Sequence, residues 1–135
     1  MDLMKSMLIS AAGMRAQSSR MRVISENIAN QNSTATTPGG EPYRRKIINF
    51  SNELNRELGV NQVMANKISF DDKAFGKNYD PGNPAADAEG YVLKSNVNGL
   101  IEMMDMRQAQ RTYQSNLNAI EASRRMASMT LELLR

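Results

Sequence analysis

The chain has 135 residues and a formal net charge of +3, from 17 basic and 14 acidic side chains. Because it contains neither cysteine nor histidine, the composition excludes disulfides, thiolate or imidazole metal ligands and histidine-based catalysis. A hydrophobic fraction of 41% with 23% charged residues fits one globular domain, residues 1–135, and the small, scattered excess of positive charge does not indicate nucleic-acid binding.

The first residues resemble a secretion signal only in part. Lys5 precedes an apolar run that begins at Met7, but Ser10 interrupts this run and Arg15 closes it. The apolar segment is therefore too short for a cleaved leader. Nowhere else does an uninterrupted apolar stretch approach the roughly 20 residues that a membrane span needs. We expect a soluble chain without a cleaved signal peptide.

Residues 3–32 have the pattern of a long amphipathic helix. They contain no proline, and apolar residues recur at alternating spacings of three and four, which predicts a helix with one narrow apolar stripe. Ser18 and Ser25 are the two polar positions in this stripe. Its apolar members are Met4, Met7, Ala11, Met14, Met21 and Ile28.

Residues 96–135 repeat this pattern and predict a second long helix. Asn96 is a plausible N-cap, and Asn98 would serve as well. Only Gln110 and Arg124 interrupt the stripe, and three-four spacing sustained over this length indicates coiled-coil packing. The stripe consists of Met103, Met106, Tyr113, Leu117, Ile120, Ala127, Leu131 and Leu134.

The middle of the chain, residues 33–95, has loop and strand character. Alternating apolar residues predict strands over 43–50 and 60–70, with a third, short strand at 91–93. Residues 52–58 fit either a helical turn or a hairpin linker, and residues 71–90 read as irregular. The expected fold is therefore mainly α, with two long terminal helices packed as a coiled coil and a small β-hairpin or irregular middle.

Several apolar residues lie off the two stripes. A hairpin of two long helices has one mutual seam, and apolar side chains outside it need a second contact. We interpret the two stripes as packing surfaces that other subunits complete. The off-stripe residues are Val97, Leu100, Ile101, Met104 and Met126.

Seven segments, in order along nearly the whole chain, resemble the flagellar rod and hook axial proteins. They are residues 9–17 (ISAAGMRAQ), 25–30 (SENIAN), 36–46 (TTPGGEPYRRK), 79–92 (YDPGNPAADAEGYV), 96–98 (NVN), 102–103 (EM) and 109–117 (AQRTYQSNL). The absence of a large middle domain resembles the proximal members of this family. The positions that carry the resemblance most clearly are Asn27, Ile28, Ala29, Asn30, Pro38, Gly39, Gly40, Tyr79, Asp80, Pro81, Gly90 and Tyr91.

The resemblance implies a structural subunit of the proximal rod in the bacterial flagellar basal body. Such a subunit is exported by the flagellar type III apparatus without cleavage, polymerises in the periplasm and transmits torque from motor to hook. Its implied partners are copies of itself, other rod proteins, and the basal-body adaptor and ring proteins. The resemblance implies no enzymatic activity, no cofactor, no metal, no nucleic acid and no small-molecule substrate.

The residues themselves leave a second function class open, a soluble helical adaptor or chaperone-like binding module that folds alone. The basic triplet 44–46 fits a solvated strand or a salt bridge between subunits better than a nucleic-acid contact. Asp80, Asp87 and Glu89 do not have the spacing of a calcium loop, and the sequence at Asp80 favours a turn. Asn27 and Asn30 fit a helix boundary or a packing role.

Overall fold

A computed structural model describes residues 3–56 and 59–133. Two helices at the ends and four short strands between them confirm a mainly helical chain with a small β middle. Among the described residues, neither helix is long and apolar enough to span a membrane. In chain order the elements are α1 (Leu3–Ala29), β1 (Lys46–Asn55), β2 (Val60–Phe70), β3 (Gly76–Tyr79), β4 (Tyr91–Lys94) and α2 (Gly99–Leu133).

Asparagine side chains cap both helices. At the end of α1, Asn30 Nδ2 donates a hydrogen bond to the backbone oxygen of Glu26 at 2.8 Å, and the same oxygen accepts the backbone N–H of Asn30 at 3.2 Å, so the side chain reinforces the last turn. At the start of α2, Asn98 Oδ1 accepts from the backbone N–H groups of Leu100 and Ile101. Asn98 is therefore the N-cap, and the alternative assignment to Asn96 is wrong because the Asn96 side chain binds elsewhere.

The strands β1 and β2 form a two-stranded sheet. The backbone N–H of Asp71 donates to Arg45 O, and Asn66 Nδ2 donates to Ser51 Oγ. Residue numbers therefore increase along β1 while those of the contacting residues decrease, which shows that the strands are antiparallel. The bounds of β2 match the prediction. The predicted strand 43–50 is shifted: β1 begins at Lys46 and continues to Asn55, because pairing with a long partner carries the strand through polar residues. The strand thus replaces the helical turn considered for 52–58 as far as Asn55, and Arg56 lies in a turn; residues 57 and 58 lie outside the described part.

The second sheet pairs β3 with β4 and corrects the expectation that residues 71–90 are irregular. Its antiparallel register places Gly76 opposite Lys94 and Tyr79 opposite Tyr91. All four residues of β3 are exposed, so the strand has no alternation of apolar and polar side chains that a sequence pattern could reveal. Its pairing with β4, whose Val92 is buried, is what makes it a strand.

The chain divides into two units; the buried residues of the first are all small, whereas the second also buries larger side chains. The first takes residues 1–21, 48–67 and 107–135, and the second takes residues 22–47 and 68–106. In the first unit the two helices approach so closely that a β-carbon at Gly13 would lie 2.8 Å from Asn116 Nδ2. The buried residues of the first unit are Ala12, Ala16, Ala109 and Ser123. Those of the second include Val23, Ile24, Asn27, Ala35, Ala85, Val92 and Glu102.

Candidate assembly site

A polar cluster in the second unit connects the start of β1 to both helices. We use this name for Asn27, Arg45, Asp71, Asn96 and Glu102. Glu102, in the first turn of α2, is only 1% exposed. Its Oε1 accepts a hydrogen bond from Arg45 Nε at 2.6 Å, and its Oε2 accepts one from Asn27 Nδ2 at 3.0 Å. The buried carboxylate is therefore paired and hydrogen-bonded on both oxygens, as a buried charge must be.

Asn27 joins α1 to the first residue of β1. Its side-chain amide donates to Lys46 O at 2.9 Å and accepts from Lys46 N at 3.0 Å, so it pairs with both backbone groups of one residue. Tyr43 Oη donates to the same amide oxygen at 2.9 Å. The packing role expected of Asn27 thus takes a specific form, in which one buried amide fixes where the strand begins.

Arg45 has three further partners besides Glu102. It forms ion pairs with Asp71 at 3.4 Å and with Asp105 at 3.6 Å, and its backbone N–H donates to Asn96 Oδ1 at 2.7 Å. Asn96 in turn donates to the backbone oxygens of Asp71 and Lys73. The pKa of Asp71 lies below its ordinary value, chiefly because the Lys73 backbone N–H donates to it and also because Arg45 does.

The neighbours of Arg45 in the basic triplet are also engaged within the unit. Arg44 donates to Asp71 O, and its guanidinium lies 4.2 Å from the centre of the Phe75 ring. Lys46 Nζ contacts Glu26 at 2.9 Å, and this hydrogen bond lowers the pKa of the Glu26 carboxyl. The triplet therefore makes its salt bridges within the chain, whereas the sequence interpretation placed a salt bridge between subunits.

The segment between β3 and β4 is a turn stabilised by its own side chains. Asp87 Oδ1 accepts from the backbone N–H groups of Glu89 and Tyr91, and the Asp80 N–H donates to Gly90 O. Gly90 has φ +85°, and a β-carbon there would lie 2.9 Å from the Tyr79 ring, so this position requires glycine. Within residues 3–56 and 59–133, no group of three acidic side chains is placed to hold a metal ion.

The remaining motif positions lie at the end of α1 and in the loop that precedes β1. Ile28 is half-buried and Ala29 exposed at the end of α1. Pro38 and Gly39 lie in an exposed loop, where Gly39 has φ +75° and open space around it. The Gly40 N–H donates to Thr37 O and closes this turn before β1.

Most of the predicted stripe is half-buried in the single chain. Met4, Met103 and Leu131 are exposed, and Leu134 lies outside the described residues. Several buried positions of the helices, such as Ala12 and Ala109, are smaller neighbours of the stripe. The half-buried stripe residues are Met7, Ala11, Met14, Met21, Ile28, Met106, Tyr113, Leu117, Ile120 and Ala127.

Large apolar side chains are exposed along α2. The prediction that the off-stripe residues of this helix point away from its packing is confirmed for four of them, while Val97, which precedes the helix, is half-buried. Four exposed apolar side chains of α2 lie in each unit, and exposed apolar groups of this kind are typical of interaction surfaces. The exposed apolar residues of α2 are Leu100, Ile101, Met103, Met104, Met126, Met129, Leu131 and Leu133.

The sequence patterns missed four members of the polar cluster as site residues. Arg45, Asn96 and Glu102 lie in segments that resemble the axial-protein family, and Asn96 was also a candidate N-cap, whereas Asp71 lay in a segment predicted to be irregular. None of these patterns predicted that the side chains contact one another. Asn27 lies 75 residues away in the chain from its partner Glu102, so no local pattern brings the two together.

Comparison with known proteins identifies the class that this architecture belongs to. A family model described as "Flagellar basal body rod FlgEFG protein C-terminal" matches residues 88–133, which contain β4 and α2. The class is therefore that of flagellar basal-body rod proteins.

Three curated relatives identify the family within this class, and each is named "Flagellar basal-body rod protein FlgC". The protein of Agrobacterium fabrum is 49% identical over 127 residues, covering 94% of this chain and 91% of the relative. That of Bacillus subtilis is 39% identical over 148 residues, covering 98% and 99%. That of Salmonella typhimurium is 34% identical over 133 residues, covering 98% of both. The chain belongs to the FlgC family of flagellar basal-body rod proteins.

Proposed function

We propose that this chain is a structural subunit of the flagellar basal-body rod, without enzymatic activity, that polymerises through its terminal helices. One observation carries the proposal: eight large apolar residues of α2 are exposed in the single chain. Burial of apolar surface is the main driving force for association of subunits, and a helix that leaves these side chains in water favours neighbours that cover them. The names of the curated relatives support the rod as the place where this happens.

The contacts that build the rod are heterologous in this proposal. The apolar stripes and the exposed apolar residues of α2 pack against copies of the chain and against other rod proteins, as a coiled coil of terminal helices. Heterologous contacts do not close on themselves and generate an open helical array. The whole chain, residues 1–135, acts as one axial-protein core in this array.

Torque transmission is the mechanical part of the proposal. A rod twisted at one end passes the load on only if each subunit resists deformation. The polar cluster suits this role because the ion pairs of Arg45 and the hydrogen bonds of Asn27 fix β1 to both helices. Directional hydrogen bonds around charged groups specify one geometry, whereas apolar packing alone tolerates sliding.

We propose that the assembled chain lies in the periplasmic rod, as the resemblance implies. In this proposal it reaches the rod through the flagellar type III export apparatus without cleavage of a signal peptide. Its proposed neighbours there are other rod proteins and the basal-body adaptor and ring proteins.

Leu131→Asp is expected to abolish incorporation into basal bodies and swimming. Leu131 is 69% exposed in the single chain, so the new carboxylate costs the isolated fold little. Buried against a neighbouring subunit, an unpaired carboxylate is costly. The measurement is swimming in soft agar, together with recovery of the variant in isolated basal bodies, in a host strain that lacks its own copy of the chain.

Ser115→Asp is the matched control, since Ser115 is an exposed polar residue of the same helix. It adds the same charge and is expected to swim and to be incorporated like the wild type. Normal swimming by the Leu131→Asp strain would contradict assembly through the terminal helices.

A further inference from the structure

Methionine is unusually frequent among the exposed apolar residues of α2. Met103 and Met104 are 54% and 65% exposed, and Met126 and Met129 are 50% and 58% exposed. Met103 and Met104 follow the exposed Leu100 by three and four residues, while Met126 and Met129 precede the exposed Leu133 by seven and four. These spacings put each pair on one side of the helix with an apolar neighbour. Half of the exposed apolar residues of α2 therefore carry a thioether.

Exposed thioethers react with oxidants of the peroxide class. In this reaction the methionine sulfur attacks one peroxide oxygen, the O–O bond breaks, and the second oxygen leaves as water after taking up a proton. The sulfur loses two electrons and becomes a sulfoxide, while the peroxide is reduced. A sulfoxide is polar and accepts hydrogen bonds, so an apolar side chain becomes one that is costly to bury.

We propose that Met103 and Met104 in the second unit, and Met126 and Met129 in the first, are two oxidation-sensitive pairs whose conversion to sulfoxide by hydrogen peroxide prevents the chain from assembling. This inference rests on the proposed function, because it requires neighbours to cover α2. The thioether state is compatible with that burial, and the sulfoxide state is not. The thioethers of both methionine pairs are reactive in the unassembled chain, and they are protected once neighbouring subunits exclude peroxide from them.

The first test compares the chain in two states. The purified full chain and isolated basal bodies are treated with hydrogen peroxide, and sulfoxide at each methionine is followed by peptide mass spectrometry. At these four positions we expect oxidation to be at least about tenfold slower in basal bodies than in the free chain, because oxidation follows exposure. Equal rates in the two states would overturn the inference.

The second test separates polarity from the loss of methionine itself. One variant replaces all four methionines with leucine, which is apolar and cannot be oxidised by peroxide. Its matched partner replaces them with glutamine, which imitates the polarity of the sulfoxide; all three residue types have similar helix propensities. We expect the leucine variant to be recovered in basal bodies like the wild type and the glutamine variant to be absent from them.

Each other outcome of the second test has a definite meaning. Normal incorporation of the glutamine variant beside exclusion of Leu131→Asp would overturn the oxidation site and leave the proposed function standing. Absence of the leucine variant from basal bodies would also overturn the oxidation inference, since apolar side chains at these positions would then not be sufficient for assembly. Incorporation of both the glutamine variant and Leu131→Asp would overturn the oxidation site together with the proposed function.

Discussion

Replacing Glu102 with alanine is expected to lower the free energy of unfolding by about 3–5 kcal/mol, the range for removing one partner of a buried ion pair. The substitution removes the acceptor of Arg45 Nε and Asn27 Nδ2 and leaves a partly buried guanidinium and a buried amide short of a partner. We expect urea unfolding to show this loss of stability. We also expect the backbone N–H of Lys46, which donates a hydrogen bond to Asn27 Oδ1, to exchange faster with deuterium.

The matched control for this substitution is Glu121→Ala on the same helix. Glu121 is exposed and approaches Arg125 at 3.6 Å as an i,i+4 surface pair, which contributes about 0.5 kcal/mol or less. The two substitutions remove the same side chain from the same helix and differ in burial and partners. Equal losses of stability in the two variants would show that the polar cluster does not fix β1 to the helices.

Replacing Ala109 with leucine is expected to be the second most damaging single change, because Ala109 is 0% exposed. Added methylene groups at a fully packed position force neighbouring groups apart, which costs about 1–3 kcal/mol. Alanine and leucine both have high helix propensity, so an effect of this size reports on packing. The measurement is urea unfolding of the purified chain, with recovery in basal bodies as a second readout.

Ala119→Leu is the control, since Ala119 is an exposed alanine ten residues further along α2. We expect its free energy of unfolding to stay within about 0.5 kcal/mol of the wild type. If both leucine variants were equally stable, the close helix packing at Ala109 would be refuted.

The long elements were predictable because their patterns repeat many times. Both helices begin and end within three residues of their predicted bounds over the described residues, and β2 matches its predicted range. A periodic pattern sustained over many turns averages out single exceptions such as Ser18 or Gln110. The strand β3 could not be predicted, since it has four exposed residues and forms only through its pairing with β4.

The position of the closest helix contact was hidden for a different reason. Hydrophobic periodicity picks out large apolar residues, whereas close helix approach selects small ones. Gly13, Ala109 and Ser123 lie where the helices are most tightly packed or buried, and on a hydrophobicity scale they weigh little beside the methionines. The stripe residues consequently remain half-buried and available to neighbours in the proposed assembly.

The polar cluster was beyond sequence reasoning because its members are distant in the chain and ordinary in type. Asn27 and Glu102 both lie in segments that resemble the family, but neither segment indicates that the two side chains meet. Only the fold brings the end of α1, the start of β1 and the first turn of α2 to one buried carboxylate. A residue pattern within any one segment contains no trace of this convergence.

A density map of the assembled rod tests most directly whether neighbouring subunits cover the apolar surface of the terminal helices. We predict that Leu100, Met104 and Met129 of each copy lie in van der Waals contact with another subunit. Bulk solvent against these three side chains in the finished rod would contradict the proposal that this surface builds the polymer.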